Sequence, residues 1–147
     1  LALTKLDQLY RQVILDEANH PRHHGTLAAP THTITVRNPS CGDVLTLQLR
    51  VADGVVQDAA FAGSGCTISQ ASGSLMTDQI IGQTPAVVQQ MVQTFSQLVI
   101  DGTAPDADLL GDAAILSGVH QFPARIKCAT LAWKAASQAL TEGEHND

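Results

Sequence analysis

Apolar side chains recur at steps of three and four along the first twenty residues: Leu3, Leu6, Leu9, Tyr10, Val13, Ile14 and Ala18. That spacing gathers them on one side of an α-helix and predicts an amphipathic helix over residues 2–19, ended by Pro21 and Gly25. The period then falls to two. Ile34 and Val36 alternate with polar residues over 33–37, and Leu45, Leu47, Leu49 and Val51 do the same over 44–51. A third run rich in Val, Ala and Phe61 spans 55–62. The link Ala52-Asp53-Gly54 reads as a hairpin turn, because Asp-Gly supplies the positive φ that a tight turn needs. After Gly65 the three- and four-residue steps return. Ile68, Ala71, Leu75, Met76 and Ile80 predict a helix over 67–81 stopped by Gly82. Thr84-Pro85 opens the next, with proline in its first turn, and Val87, Val88, Met91, Val92, Phe95 and Leu98 follow. Residues 101–105 form a polar break, 108–119 a short helix, and 123–142 a long final one carrying Ile126, Leu131, Trp133, Ala136 and Leu140.

A helix, a three-stranded antiparallel sheet and then a cluster of helices is an α+β order. No repeat or linker interrupts it, so 1–147 is expected to be a single domain. Apolar residues make up 44% of the chain and charged residues 15%, enough for a hydrophobic core and unlike a disordered chain. With aromatics at 3%, that core must be built from Leu, Ile, Val and Ala. The formal net charge of −6 argues against nucleic acid as a partner. No apolar run has the length of a membrane span. The N-terminal stretch mixes charged with apolar residues and lacks the continuous apolar segment of a signal peptide, so cytoplasmic residence is the expectation.

Three cysteines are an odd number. In a reducing compartment, thiols serve as ligands or nucleophiles more often than as disulfides, although a cysteine is also a small, readily buried hydrophobe. Each lies in a distinctive segment. Asn38-Pro39-Ser40-Cys41-Gly42-Asp43 falls in the turn between the first two strands. It brings a soft thiolate beside a hard carboxylate, although taken alone Asp43 is more simply read as capping the turn. Gly63-Ser64-Gly65-Cys66 stands where strand becomes helix, and the positive end of a helix favours a thiolate. The segment lacks the lysine of a phosphate-binding loop. Pro123-Ala124-Arg125-Ile126-Lys127-Cys128 opens the last helix, where two cations either favour the thiolate or form an ordinary solvated face. Three thiolates and one carboxylate suit tetrahedral zinc and also suit an iron–sulfur cluster. The spacing is not that of a zinc finger.

In these three segments the sequence resembles the U-type iron–sulfur scaffold family, which comprises IscU, the N-terminal domain of NifU, and SufU. The likeness runs from Leu9-Tyr10 and Ile14-Leu15 through His20-Pro21-Arg22-His23-His24-Gly25 and the three cysteine segments to Ala129-Thr130-Leu131 and Trp133, which is nearly the whole chain. Within the family it is most similar to the SufU branch. Lys127 stands where IscU-type members carry histidine, and the stretch between Cys66 and Cys128 is longer, with 101–119 as the insert. Phe122-Pro123-Ala124-Arg125-Ile126 replaces the Leu-Pro-Pro-Val-Lys segment by which IscU engages a specialised Hsp70 chaperone.

The resemblance implies roles by position. Cys41, Asp43, Cys66 and Cys128 would bind Zn2+. Cys41 would accept a persulfide sulfur from a SufS-like, pyridoxal-phosphate cysteine desulfurase, with Arg125 supporting the site or the partner contact. Downstream cluster assembly proteins would receive the sulfur, making the chain a zinc-dependent sulfurtransferase in function. The alternative is a scaffold that assembles a [2Fe–2S] cluster on the same ligands. A purely structural zinc module is the third reading. His20, His23 and His24 have no Cys or carboxylate beside them at ligand spacing, and loop packing, capping or partner contact is the simpler expectation for them than a second metal site.

Overall fold

The computed structural model describes residues 2–39 and 42–146, and the side chains of 11–39 and 42–141. The first helix, α1, is Ala2–Asn19. Ile14 is buried and Val13 and Leu15 are more than a third exposed, so the inward face passes through Ile14 and Ala18, one helical turn apart, and not through Val13. The predicted packing of Leu3, Leu6, Leu9 and Tyr10 lies outside the described side chains.

Three strands follow: β1 (His32–Asn38), β2 (Asp43–Ala52) and β3 (Val55–Ser64). They form one antiparallel sheet in the order β1-β2-β3. Asp53 and Gly54 both have positive φ, 57° and 79°, which is the two-residue hairpin that Asp-Gly favours. Leu45, Leu47 and Leu49 point to the covered face. β3 carries an irregularity: Val51 pairs with Val56 but Arg50 pairs with Asp58, leaving Gln57 as an extra residue. That bulge switches the parity of β3, so Val56 on one side and Ala59 and Phe61 on the other all face the core. The outer edge of β3 is occupied by segments that are not strands. Val56 donates to Gln83 O (2.9 Å) and accepts from Gly82 N (2.7 Å), while Phe61 donates to His23 O (3.0 Å) and accepts from Gly25 N (2.9 Å).

The helix α2 (Thr67–Ile80) is the centre of the molecule, with every residue from Ala71 to Thr77 buried. Its small residues permit that position: a Cβ on Gly73 would stand 2.8 Å from the Phe61 ring. Beyond it, α3 (Pro85–Asp101) begins with Thr84 accepting from Val87 N (3.2 Å) and ends at Gly102 in the left-handed conformation.

The predicted short helix over 108–119 is present, and it is of the 3-10 type. Ala107–Gln121 is a run of 3-10 helix broken at Gly111 (φ 54°, ψ −130°). Its buried residues are Leu110, Ala113, Leu116 and Val119, a strict step of three that puts them on one face when there are three residues per turn. Pro123–Arg125 is a further 3-10 turn, and the last helix, α4, runs Ile126–Asn146. Cys128 therefore lies in the first turn of α4, and not in the second turn of a helix starting at Pro123. The helix α4 packs on β1, β2, α2 and α3, where Trp133 stacks on Phe95 with ring centroids 4.5 Å apart. Among the described residues, no helix is long and apolar enough to cross a membrane.

Candidate metal centre

Asp43 opens β2 on the same face as Leu45 and Leu47, at the edge of the apolar layer. Alternation alone turns its carboxylate inward, and it is only 3% exposed. Its neighbour Gly42, with φ 73°, bonds back to Asn38 O (2.8 Å) and closes the turn between β1 and β2. β2 and β3 meet beside it. Gly63 has φ 146°, and a Cβ there would lie 2.0 Å from Val44 O, so only glycine lets the strands close at this point. Gly65 serves in the same way, since a Cβ on it would stand 2.9 Å from Asp43 Oδ1.

Cys66 caps the N-terminus of α2 with extended backbone (φ −73°, ψ 172°). Cys128 arrives from the first turn of α4 and is 1% exposed. A carboxylate oxygen of Asp43 and the two Sγ atoms lie within 4.8 Å of one another. Among the described residues this is the group of His, Cys, Asp and Glu side chains placed to share a metal ion. Cys41 lies outside the described residues, while Pro39 and Gly42 on either side of it flank this end of the sheet.

The surrounding bonds fix the group. Cys66 N donates to Asp43 Oδ1 (3.2 Å), and the Ser69 hydroxyl donates to Asp43 Oδ2. The Ser69 hydroxyl also lies 3.6 Å from Cys66 Sγ. Burial, the largest single influence on the Cys66 thiol, pushes its pKa up, and the charge of Asp43 adds to that. The Ser69 hydroxyl, the Ser69 backbone and Cys128 together outweigh both, so Cys66 titrates below the ordinary thiol range. Arg125 is exposed at the mouth. Its guanidinium is held above its ordinary value first by the charge of Cys66, then by a hydrogen bond to Cys128 and the charge of that residue. The cation beside the thiols is therefore Arg125, while Lys127 is exposed on the helix surface.

The three loop histidines do not join a metal group among the described residues. His23 pairs with Asp78 (3.2 Å), the His24 ring meets the Phe61 ring edge-on at 5.3 Å, and His20 N bonds back to Asp16 O (2.9 Å). For His23 and His24 these contacts are loop packing, while His20 extends the end of α1 through its backbone N–H. Two residues escaped the sequence reading. Ser69 carries no motif of its own, although its step of three from Cys66 puts both at the same helix end. Arg22 joins Glu17 (3.2 Å), Asp78 (2.7 Å) and Asp112 (3.8 Å), and no local pattern announces contacts of that sequence separation.

A groove of about 510 Å³ adjoins the centre, lined by Arg11, Leu15, Ile68, Val119, Phe122 and Arg125 among others. Arg125 is common to groove and centre, and Phe122 and Leu15 are exposed in it.

Residues 9–129 match the NifU-like N terminal domain family. The chain is 43% identical over 140 residues to the iron–sulfur cluster assembly scaffold protein IscU of Streptococcus pyogenes serotype M1, covering 95% of this chain and 87% of that protein. It is 42% identical over 139 residues to the zinc-dependent sulfurtransferase SufU of Bacillus subtilis, covering 95% and 94%. A solved structure of the N-terminal part of a nitrogen-fixing NifU-like protein from Brucella abortus superposes with a TM-score of 0.86 at 27% identity, covering 97% of this chain and 99% of that one.

Proposed function

Given that this chain belongs to the NifU-like N-terminal domain family and is an iron–sulfur cluster assembly protein, we propose that it acts there as a zinc-dependent acceptor of sulfur from a cysteine desulfurase. The observation that carries this reading is the convergence of Asp43, Cys66 and Cys128 under the Arg125 guanidinium.

The donor set suits zinc. Two thiolates and a carboxylate fill three tetrahedral positions, and Cys41, two residues before Asp43, is our candidate for the fourth. Anionic groups brought together out of water call for a cation, and Arg125 alone does not balance them. Zinc, when bound, holds thiolates without oxidising them. Cys41 is our acceptor. Its thiolate attacks the outer sulfur of the donor's persulfide, a new S–S bond forms at Cys41, the donor's S–S bond breaks, and the donor cysteine leaves as a thiolate. Arg125 steadies the remaining negative charge. The groove beside it, with exposed Phe122 and Leu15, is a suitable resting surface for the donor. Replacing Cys41 by Ala is expected to abolish stimulation of the desulfurase, measured as alanine release from cysteine. Full stimulation by the variant would remove Cys41 from this role.

The scaffold reading keeps the same ligands with iron and sulfide as cargo, and it is favoured by the 43% identity to a protein named as a scaffold. An anaerobic competition separates the two. The protein is loaded with one zinc, ferrous iron and sulfide are added, and released zinc is recorded with the visible absorption. Retained zinc without a cluster band supports the acceptor, while zinc loss with a growing band supports the scaffold.

A further inference from the structure

Ser69 is 4% exposed and sits three residues after Cys66, on the helix that is buried continuously from Ala71 to Thr77. Its hydroxyl proton goes to Asp43 Oδ2, and Ser69 Oγ lies 3.6 Å from Cys66 Sγ. Asp43 Oδ1 is held independently by Cys66 N. The carboxylate is also boxed in by volume. A Cβ on Gly65 would come within 2.9 Å of Asp43 Oδ1 and 3.1 Å of Ser69 Cβ, so the space between Gly65 and Ser69 is filled by the carboxylate itself.

We propose that Ser69 is a positioning residue of the metal centre: its hydroxyl locks the Asp43 carboxylate in the orientation that faces Cys66 and Cys128, and so sets how tightly the centre retains a divalent cation. The inference rests on the metal-centre reading above. A carboxylate on a strand end can rotate about its side-chain torsions, whereas Ser69 is anchored in the most buried helix of the molecule. Coupling the two transfers the rigidity of α2 to a ligand supplied by β2. Partners that hydrogen-bond to metal ligands act in this way, and losing one costs about 10- to 100-fold in metal affinity.

The test uses the full chain as Ser69→Ala, Ser69→Thr and Asp43→Ala, with the Ser69→Ala/Asp43→Ala double variant. Zinc affinity is measured by competition with a chromogenic chelator, and the cobalt-substituted proteins are compared by their visible absorption. We expect S69A to weaken zinc binding about tenfold or more and to alter the cobalt ligand-field bands. S69T, which keeps the hydroxyl, is expected to restore both. In the D43A background S69A is expected to cost far less than in the unaltered chain, because the residue acts mainly through Asp43. Zinc affinity unchanged in S69A overturns the proposal, as does a full S69A penalty that persists without Asp43. Unaltered affinity in D43A overturns the metal-centre reading and this inference with it, whereas a D43A loss with a silent S69A overturns this inference alone. Should S69A not fold, the isosteric pair S69T and S69V makes the same comparison.

Discussion

The charge of Cys66 is the largest influence holding the guanidinium of Arg125 above its ordinary value, so the guanidinium is a handle on the charge of the thiol. With the pKa of Cys66 below the ordinary thiol range, metal-free protein is expected to alkylate at Cys66 at lower pH than an unfolded control. Arg125→Ala should shift that rate–pH profile upward, as followed by peptide-level mass spectrometry; an unmoved profile would separate Arg125 from the thiols. The sign for stability follows from the direction of the shift. A thiol whose pKa is lowered by folding contributes stability that is fully present above its unfolded value of about 8.5. That contribution is lost as pH falls through the lower, folded value. Metal-free protein should therefore gain thermal stability as pH rises through this window, and Cys66→Ser should flatten that part of the curve.

Individual helices and strands carry different kinds of information in their sequences. At this scale Gly73→Ala is a sharp test, because two effects oppose. Alanine is the better helix former by about 1 kcal/mol, yet its Cβ would stand 2.8 Å from a buried Phe61 ring. Overpacking of this kind costs about 1–3 kcal/mol, and we expect net destabilisation in urea unfolding. The sheet was legible in advance because alternation and an Asp-Gly turn are local signals. Thr84-Pro85 and Gly102 marked the ends of α3 for the same reason. The bulge at Gln57 was not legible, since the parity switch appears only once Phe61 has a core to face. The short helix of 107–121 was legible but its type was not, although the step of three through Leu110, Ala113, Leu116 and Val119 carries the 3-10 period within it. The candidate ligands Asp43, Cys66 and Cys128 could be read from cysteine segments and glycine turns, whereas Ser69 and Arg22 act through partners that only the tertiary structure supplies.

Across the whole molecule the apolar core extends well beyond the candidate metal centre at its edge. Leu47, Leu49, Phe61, Leu75, Met76, Phe95 and Trp133 are buried without help from the cysteines. Zinc removal by a chelator is thus expected to lower the melting temperature while leaving far-UV circular dichroism at room temperature unchanged. Unfolding on chelation would point instead to a structural zinc module. Arg22 links α1, α2 and the 3-10 run through Glu17, Asp78 and Asp112 with a side chain 41% exposed. Exposed pairs of this type contribute about 0–1 kcal/mol each and weaken with salt. Arg22→Ala should therefore lower stability by an amount that shrinks at high ionic strength in urea titrations. The segments seated on the outside of β3 have a further effect. An unpaired strand margin is a template on which a second chain can add itself, and ordered aggregation begins at such templates. Here Gly82 and Gln83 take up the main-chain groups of Val56, and His23 and Gly25 take up those of Phe61. The histidine-rich turn thus works as a selvedge, finishing the β3 margin so that it does not propagate into a fibril.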